Sequence, residues 1–94
     1  MNTNAFKQLA QAFATSQTPS EIEGMLKALL TPKEVQDLGN RLDIVRLLRE
    51  GKTQREVSTE LRVGIATVTR GAKALNAGVF DELLNTLGAN YDSK

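Results

Sequence analysis

The chain has 94 residues, twelve of them basic and eleven acidic, and contains neither cysteine nor histidine. Those values bound one small domain with a modest core, exclude disulfides and thiolate metal sites, and remove the side chain most used for proton transfer near neutral pH. No apolar run approaches the ~20 residues of a bilayer span. Met1 to Lys7 also lacks the basic-then-apolar order of a signal peptide, so the expectation is a soluble cytoplasmic protein without a membrane partner.

The predicted elements are all helical. Asn4 to Thr15 carries Phe6, Leu9, Ala10 and Phe13 at helical spacing. Three segments, Thr18-Pro-Ser-Glu21, Thr31-Pro-Lys-Glu34 and Thr53-Gln-Arg-Glu56, place a threonine three residues before a glutamate. This is the capping-box pattern, and two of the three add proline at the first helical position. They predict helices over Pro19 to Leu30, burying Ile22, Met25, Leu26 and Leu29, and over Pro32 to about Glu50. The latter has Val35, Leu38, Leu42, Val45 and Leu48 on one face, widened by Ile44 and Leu47. Gly51 is a natural left-handed stop.

Two short helices follow, Gln54 to Leu61 and Ile65 to about Asn76, and then a last one over Val79 to Leu87, ended by Gly88 with a frayed tail from Ala89 to Lys94. The fold class is therefore all-α, about six helices in a single domain over residues 1–94. The first helices are narrow amphipathic pieces with little of their own to pack against. An intertwined homodimer solves that problem, and a compact monomeric bundle is the alternative.

Charge is unevenly placed. Arg41 to Lys73 holds eight basic and four acidic residues, against four basic and seven acidic elsewhere. A basic centre with acidic flanks suits local phosphate contact, although a mixed solvated surface has the same composition.

Residues 53–76 within that centre have the layout of a helix-turn-helix. Val57 and Leu61 face inward, Ser58 is small where the second helix crosses, and Val63 closes the shared core. Ile65, Val68, Ala72 and Leu75 form the second helix's buried stripe, which leaves Ala66, Thr69, Arg70 and Lys73 opposite. Small residues, hydroxyls and cations on that side suit double-stranded DNA: Ile65, Ala66, Thr67 and Thr69 for base edges, Gln54, Arg55 and Lys73 for phosphates. A helical hairpin with a solvated face, serving as a dimerisation or adaptor module, is the alternative. Arg62 stands where the turn normally takes glycine for its positive φ, a cost of about 1 kcal/mol. No nucleophile–base constellation is visible, so an enzyme is not expected.

Leu30-Thr-Pro-Lys-Glu34, Leu38-Gly-Asn-Arg41, Ile44-Val45, Leu47-Leu-Arg49, Gln54-Arg-Glu56 and above all Gly64-Ile-Ala-Thr-Val-Thr-Arg-Gly71 resemble the bacterial tryptophan repressors. The resemblance runs from about Leu30 to Leu75. It implies an intertwined homodimer that binds operator DNA and represses transcription when L-tryptophan fills a pocket beside each reading head. Carried over by residue, it implies that Arg41 and Arg70 sandwich the indole, Arg70 and Thr31 hold the carboxylate, and Gly71 leaves room for the ring. The ammonium would go to the carbonyls of Ala28 and Leu30 and to a serine hydroxyl whose position is Ala74 here. Arg70 would also link ligand to the DNA backbone, and no metal is implied.

This chain departs from the pattern at Ala74, at Ala72 and Lys73 after the Arg-Gly pair, and in the connection Gly51-Lys-Thr53. That connection is one residue shorter than in the best-known repressors and resembles their tryptophan-repressor-like relatives. Each pocket residue also has a structural reading: Arg41 as a side chain lying along the apolar stripe, Thr31 as a helix cap, Arg70 as a phosphate contact alone. A ligand-independent DNA binder of the same family therefore stays open beside the tryptophan-activated one.

Overall fold

The computed structural model describes residues 3–91. They form six helices, with no strand among the described residues: α1 (Thr3–Thr15), α2 (Pro19–Leu29), α3 (Pro32–Arg49), α4 (Gln54–Leu61), α5 (Ile65–Asn76) and α6 (Asp81–Tyr91). The chain divides into two compact units, Met1–Asp37 and Leu38–Lys94, and the division falls inside α3.

In the first unit the helix starts follow the expected chemistry. The Thr31 hydroxyl accepts from Glu34 N–H at 3.1 Å while the Glu34 carboxylate accepts from Thr31 N–H at 2.8 Å, so both arms of the box close. At α2 the Thr18 hydroxyl caps Glu21 N–H at 3.1 Å, but the Glu21 carboxylate takes the N–H of Gln17, one residue earlier than the pattern predicts. The expected burial of the α2 stripe is not met within one chain. No α2 residue is buried, and Leu29 in α2 and Phe6 in α1 are 53% and 60% exposed. Two short amphipathic helices simply have too little opposing surface to cover their own stripes.

The second unit holds the core. Ile44 of α3, Val57 of α4 and Val68 of α5 are buried together, with Leu47, Leu48, Leu61 and Val63 packed around them. Val45 and Leu84 are also buried. The buried face of α3 is thus centred on Ile44 and Val45, whereas Leu38, expected on that stripe, is exposed. Leu38 lies two turns earlier on the same side of the helix as Val45, and the close approach to Ile44 and Val45 is made at Gly71. A Cβ built there would lie 2.7 Å from Ile44 Cγ2 and 3.8 Å from Val45 Cγ1, so α5 approaches α3 at this pair.

The boundaries of α4 match expectation, and Gly51, at φ 104°, supplies the left-handed residue after α3. The last helix differs. Val79 N–H bonds back to Ala74 O at 3.2 Å and belongs to the turn closing α5, with Gly78 at φ 83°. Helix α6 therefore begins at Asp81, and it continues through Gly88 to Tyr91. A glycine inside a helix costs about 1 kcal/mol but leaves the hydrogen-bond ladder intact, so it need not stop one. Of the tail expected to fray, residues 89–91 are helical and residues 92–94 lie outside the described residues.

Candidate nucleic-acid interface

Helices α4 and α5 are the most closely packed pair of the second unit. Thr53 starts α4 with a complete capping box: its hydroxyl accepts from Glu56 N–H at 3.1 Å, and its own N–H donates to the Glu56 carboxylate at 2.8 Å. That backbone N–H, then the Thr53 hydroxyl, hold the Glu56 carboxyl below its ordinary value of 4.5, against slight desolvation and with a smaller pull from Lys52. A depressed folded-state value contributes stability fully above the unfolded value and loses it as pH falls through the folded one. Thermal melts should therefore show wild type losing ground to Glu56→Gln, which keeps a capping acceptor, only below pH 4.5. Parallel pH curves for the two proteins would contradict this.

The turn between the helices is tightly bonded. Arg62 adopts φ 57°, ψ 45° as the helix cap, the only non-glycine residue at positive φ among those described. Its N–H bonds to Ser58 O, Val63 N–H bonds to the same carbonyl at 3.2 Å, and the Ser58 hydroxyl donates to Val63 O at 2.6 Å. Ser58, expected only to be small, therefore also latches the turn. Its spacing to Val63 leaves no mark in a hydropathy pattern.

Beyond the turn, Gly64 caps α5 without a side chain. Val68 is completely buried, but Ile65, expected in the same buried stripe, is 51% exposed. The first turn of α5 projects past the core that receives Val68. That correction frees Ile65 for the other role given to it, contact at the open end of the helix. Ala66, Thr67, Arg70 and Lys73 are likewise exposed, and Thr69 is half-buried. The Arg70 guanidinium donates to the Thr67 hydroxyl at 3.3 Å.

Gln54 and Thr69, 15 residues apart, meet across the two helices. The Thr69 hydroxyl lies 2.8 Å from the Gln54 amide oxygen and 2.9 Å from Ile65 O. One hydroxyl proton cannot serve both acceptors. Donation to Ile65 O, with the Gln54 amide turned so that its NH2 donates to Thr69, satisfies all the groups. The pair ties the start of α4 to the exposed side of α5, which no linear spacing could have disclosed. Arg55 is exposed beside Gln54, while Lys52 pairs with Glu60 at 3.3 Å, alongside α4.

The residues carrying the ligand resemblance fall in both units. In the second, Arg41 lies one turn before Ile44 and Val45 on α3, and Gly71 packs on those residues with Arg70 beside it. Arg41 is exposed and has no carboxylate partner among the described residues, so its guanidinium is available to a ligand. Ala74 is half-buried and offers no polar atom beyond its backbone. In the first, Ala28 and Leu30 stand at the C-terminal end of α2, where carbonyls run out of helical N–H partners and Pro32 supplies none. Such an end favours a cation. The Thr31 hydroxyl is already engaged by Glu34 N–H and keeps its proton to donate. Each of these groups is described within its own unit, and of the positions in the second unit Ala74 alone lacks the polar side chain that the resemblance implies. Among the described residues no group of His, Cys, Asp or Glu gathers as metal ligands, and no helix is long and apolar enough to cross a membrane.

Comparison with known proteins adds a second line of observation. The family model described as Trp repressor protein matches residues 4–87. The uncharacterized protein YerC of Bacillus subtilis is 35% identical over 75 residues, covering 77% of this chain and 72% of that one. A Trp operon repressor homolog of Vibrio parahaemolyticus is 36% identical over 73 residues, 77% and 71% of the two chains. One from Chlamydia caviae is 32% identical over 96 residues, 99% and 95%. Among solved structures, a TrpR-like protein from Eubacterium eligens superposes with a TM-score of 0.84 at 26% identity, covering 93% of this chain and 92% of that one.

Proposed function

The chain belongs to the Trp repressor family, a family of transcriptional regulators, and from that premise we propose that it is a sequence-specific, DNA-binding repressor acting as a cytoplasmic homodimer, with L-tryptophan as co-repressor. The observation that carries the proposal is the outer side of α5. Ile65, Ala66, Thr67, Arg70 and Lys73 stand exposed on a helix whose opposite side is locked by the buried Val68. Small and apolar groups at the helix start reach base edges and thymine methyls, Thr67 and Thr69 add hydrogen bonds, some through water, and Arg55, Lys73 and Gln54 take phosphates. The uncovered stripes of α1 and α2 support dimerisation, because a second copy would bury them. Two heads would then meet successive major grooves, about 34–36 Å apart for this class of dimeric reader.

The co-repressor would be held by Arg41 and Arg70 stacked on its ring, by Arg70 and Thr31 at its carboxylate, and by the carbonyls of Ala28 and Leu30 at its ammonium. It raises DNA affinity only to the extent that it binds the DNA-competent orientation of the head more tightly than the other. Calorimetry should detect L-tryptophan binding, and Ala74→Ser, which restores an ammonium partner worth about 0.5–1.5 kcal/mol, should tighten it roughly 2- to 13-fold. A second reading, DNA binding without ligand, is favoured by Ala74 and by the occupation of the Gly71 Cβ position by Ile44. No heat and no thermal shift at millimolar tryptophan, with duplex binding retained, would select that reading. Absence of binding to any duplex from a random library would overturn both.

A further inference from the structure

Arg62 is the feature of the reading head that no role so far absorbs. It is exposed, it holds a left-handed backbone that glycine would adopt without strain, and Ser58 bonds both the Arg62 N–H and the following Val63 into that conformation. Among the described residues no carboxylate pairs with it. The Ser58 bonds account for the backbone conformation but not for arginine in place of glycine, which leaves an unpaired cation at the turn. Resting on the DNA-binding reading above, we propose that Arg62 is an additional phosphate contact of the head, placed by the turn rather than by either helix.

The placement follows from chain geometry. Arg62 precedes Ile65 by three residues, which span at most about 10–11 Å. If Ile65 and Ala66 enter the major groove, the turn before them lies at the groove's rim, where the sugar–phosphate backbone runs. A guanidinium there meets phosphate oxygens with matching fork geometry and reads no bases. The competing account is that the cation merely complements the C-terminal end of α4. That account concerns folding alone and predicts no change at DNA.

The test uses the full chain and a fluorescein-labelled mixed-sequence duplex, with affinity followed by anisotropy as salt is raised. Arg62→Gly and Arg62→Asn both suit a left-handed turn, so each should fold with a Tm equal to or above that of wild type. Their binding should weaken, and the slope of log affinity on log salt should become shallower by about 0.9 per bound protomer. Between roughly 50 and 200 mM salt, this removes about a threefold change in affinity per protomer. Arg62→Lys should retain the wild-type slope. If wild type binds and the glycine and asparagine variants keep its slope, the proposal is overturned while the DNA-binding reading stands. If wild type binds no duplex, both fall.

Discussion

Gly71→Val should lower stability by about 2–3 kcal/mol, a Tm fall of roughly 8–24 °C for a chain of this size. A Cβ at this position would meet Ile44 Cγ2 at 2.7 Å, and Ile44 is only 1% exposed. That methyl belongs to a β-branched side chain with one strongly preferred rotamer in a helix, so it cannot swing aside. Alanine at the same site carries the same first clash but recovers about 1 kcal/mol of helix propensity relative to glycine. Valine adds bulk and returns little of that gain, so the two variants should separate in a thermal melt. Pairing Gly71→Ala with Ile44→Leu, which removes the β-branch, should recover stability beyond additivity. Additive losses would show that the contact does not limit the approach of α5 to α3.

Arg70→Ala should weaken duplex binding by about 10²–10⁴-fold in the dimer, taking about 1.5–3 kcal/mol per protomer for a charge-assisted hydrogen bond. It should also remove most of the affinity for tryptophan. Arg70 is exposed and its one described side-chain partner is Thr67, so its loss should leave Tm nearly unchanged. Arg70→Lys separates the two roles. A lysine preserves the point charge for phosphate and hence most of the salt dependence, but lacks the flat guanidinium that would stack on an indole. Retained tryptophan heat in Arg70→Lys would show that stacking is not what this residue supplies. Retained duplex affinity in Arg70→Ala would remove it from the DNA interface.

Much of the local architecture could be read from the residues themselves. Each threonine cap lies within three residues of its partner, so Thr31 and Thr53 announce the starts of α3 and α4 whatever surrounds them. The left-handed turn at Arg62 was legible because a helix-turn-helix normally takes glycine at that turn position, and the structure puts Arg62 there at φ 57°. Misplaced features involve competition between neighbours. Val79 satisfies its N–H on Ala74 rather than starting α6, and Ile65 shares the helical period of Val68 but sits one turn beyond the core. Periodicity assigns a residue to a side of a helix but cannot say how far along that side the neighbouring element extends.

The candidate site divides in the same way. Residue types and their order were enough to mark an all-α chain with a basic two-helix head and the motif from Gly64 to Gly71, because helix periodicity, caps and turn preferences act over a few residues. Three things depended on tertiary structure: the Gln54–Thr69 bond across 15 residues, the restriction of full burial on α3 to Ile44 and Val45, and the role of Gly71 as the point where α5 meets that pair. All three are contacts between segments distant in sequence. They depend on which side chains fill the space between packed helices, and no spacing along a single helix encodes that.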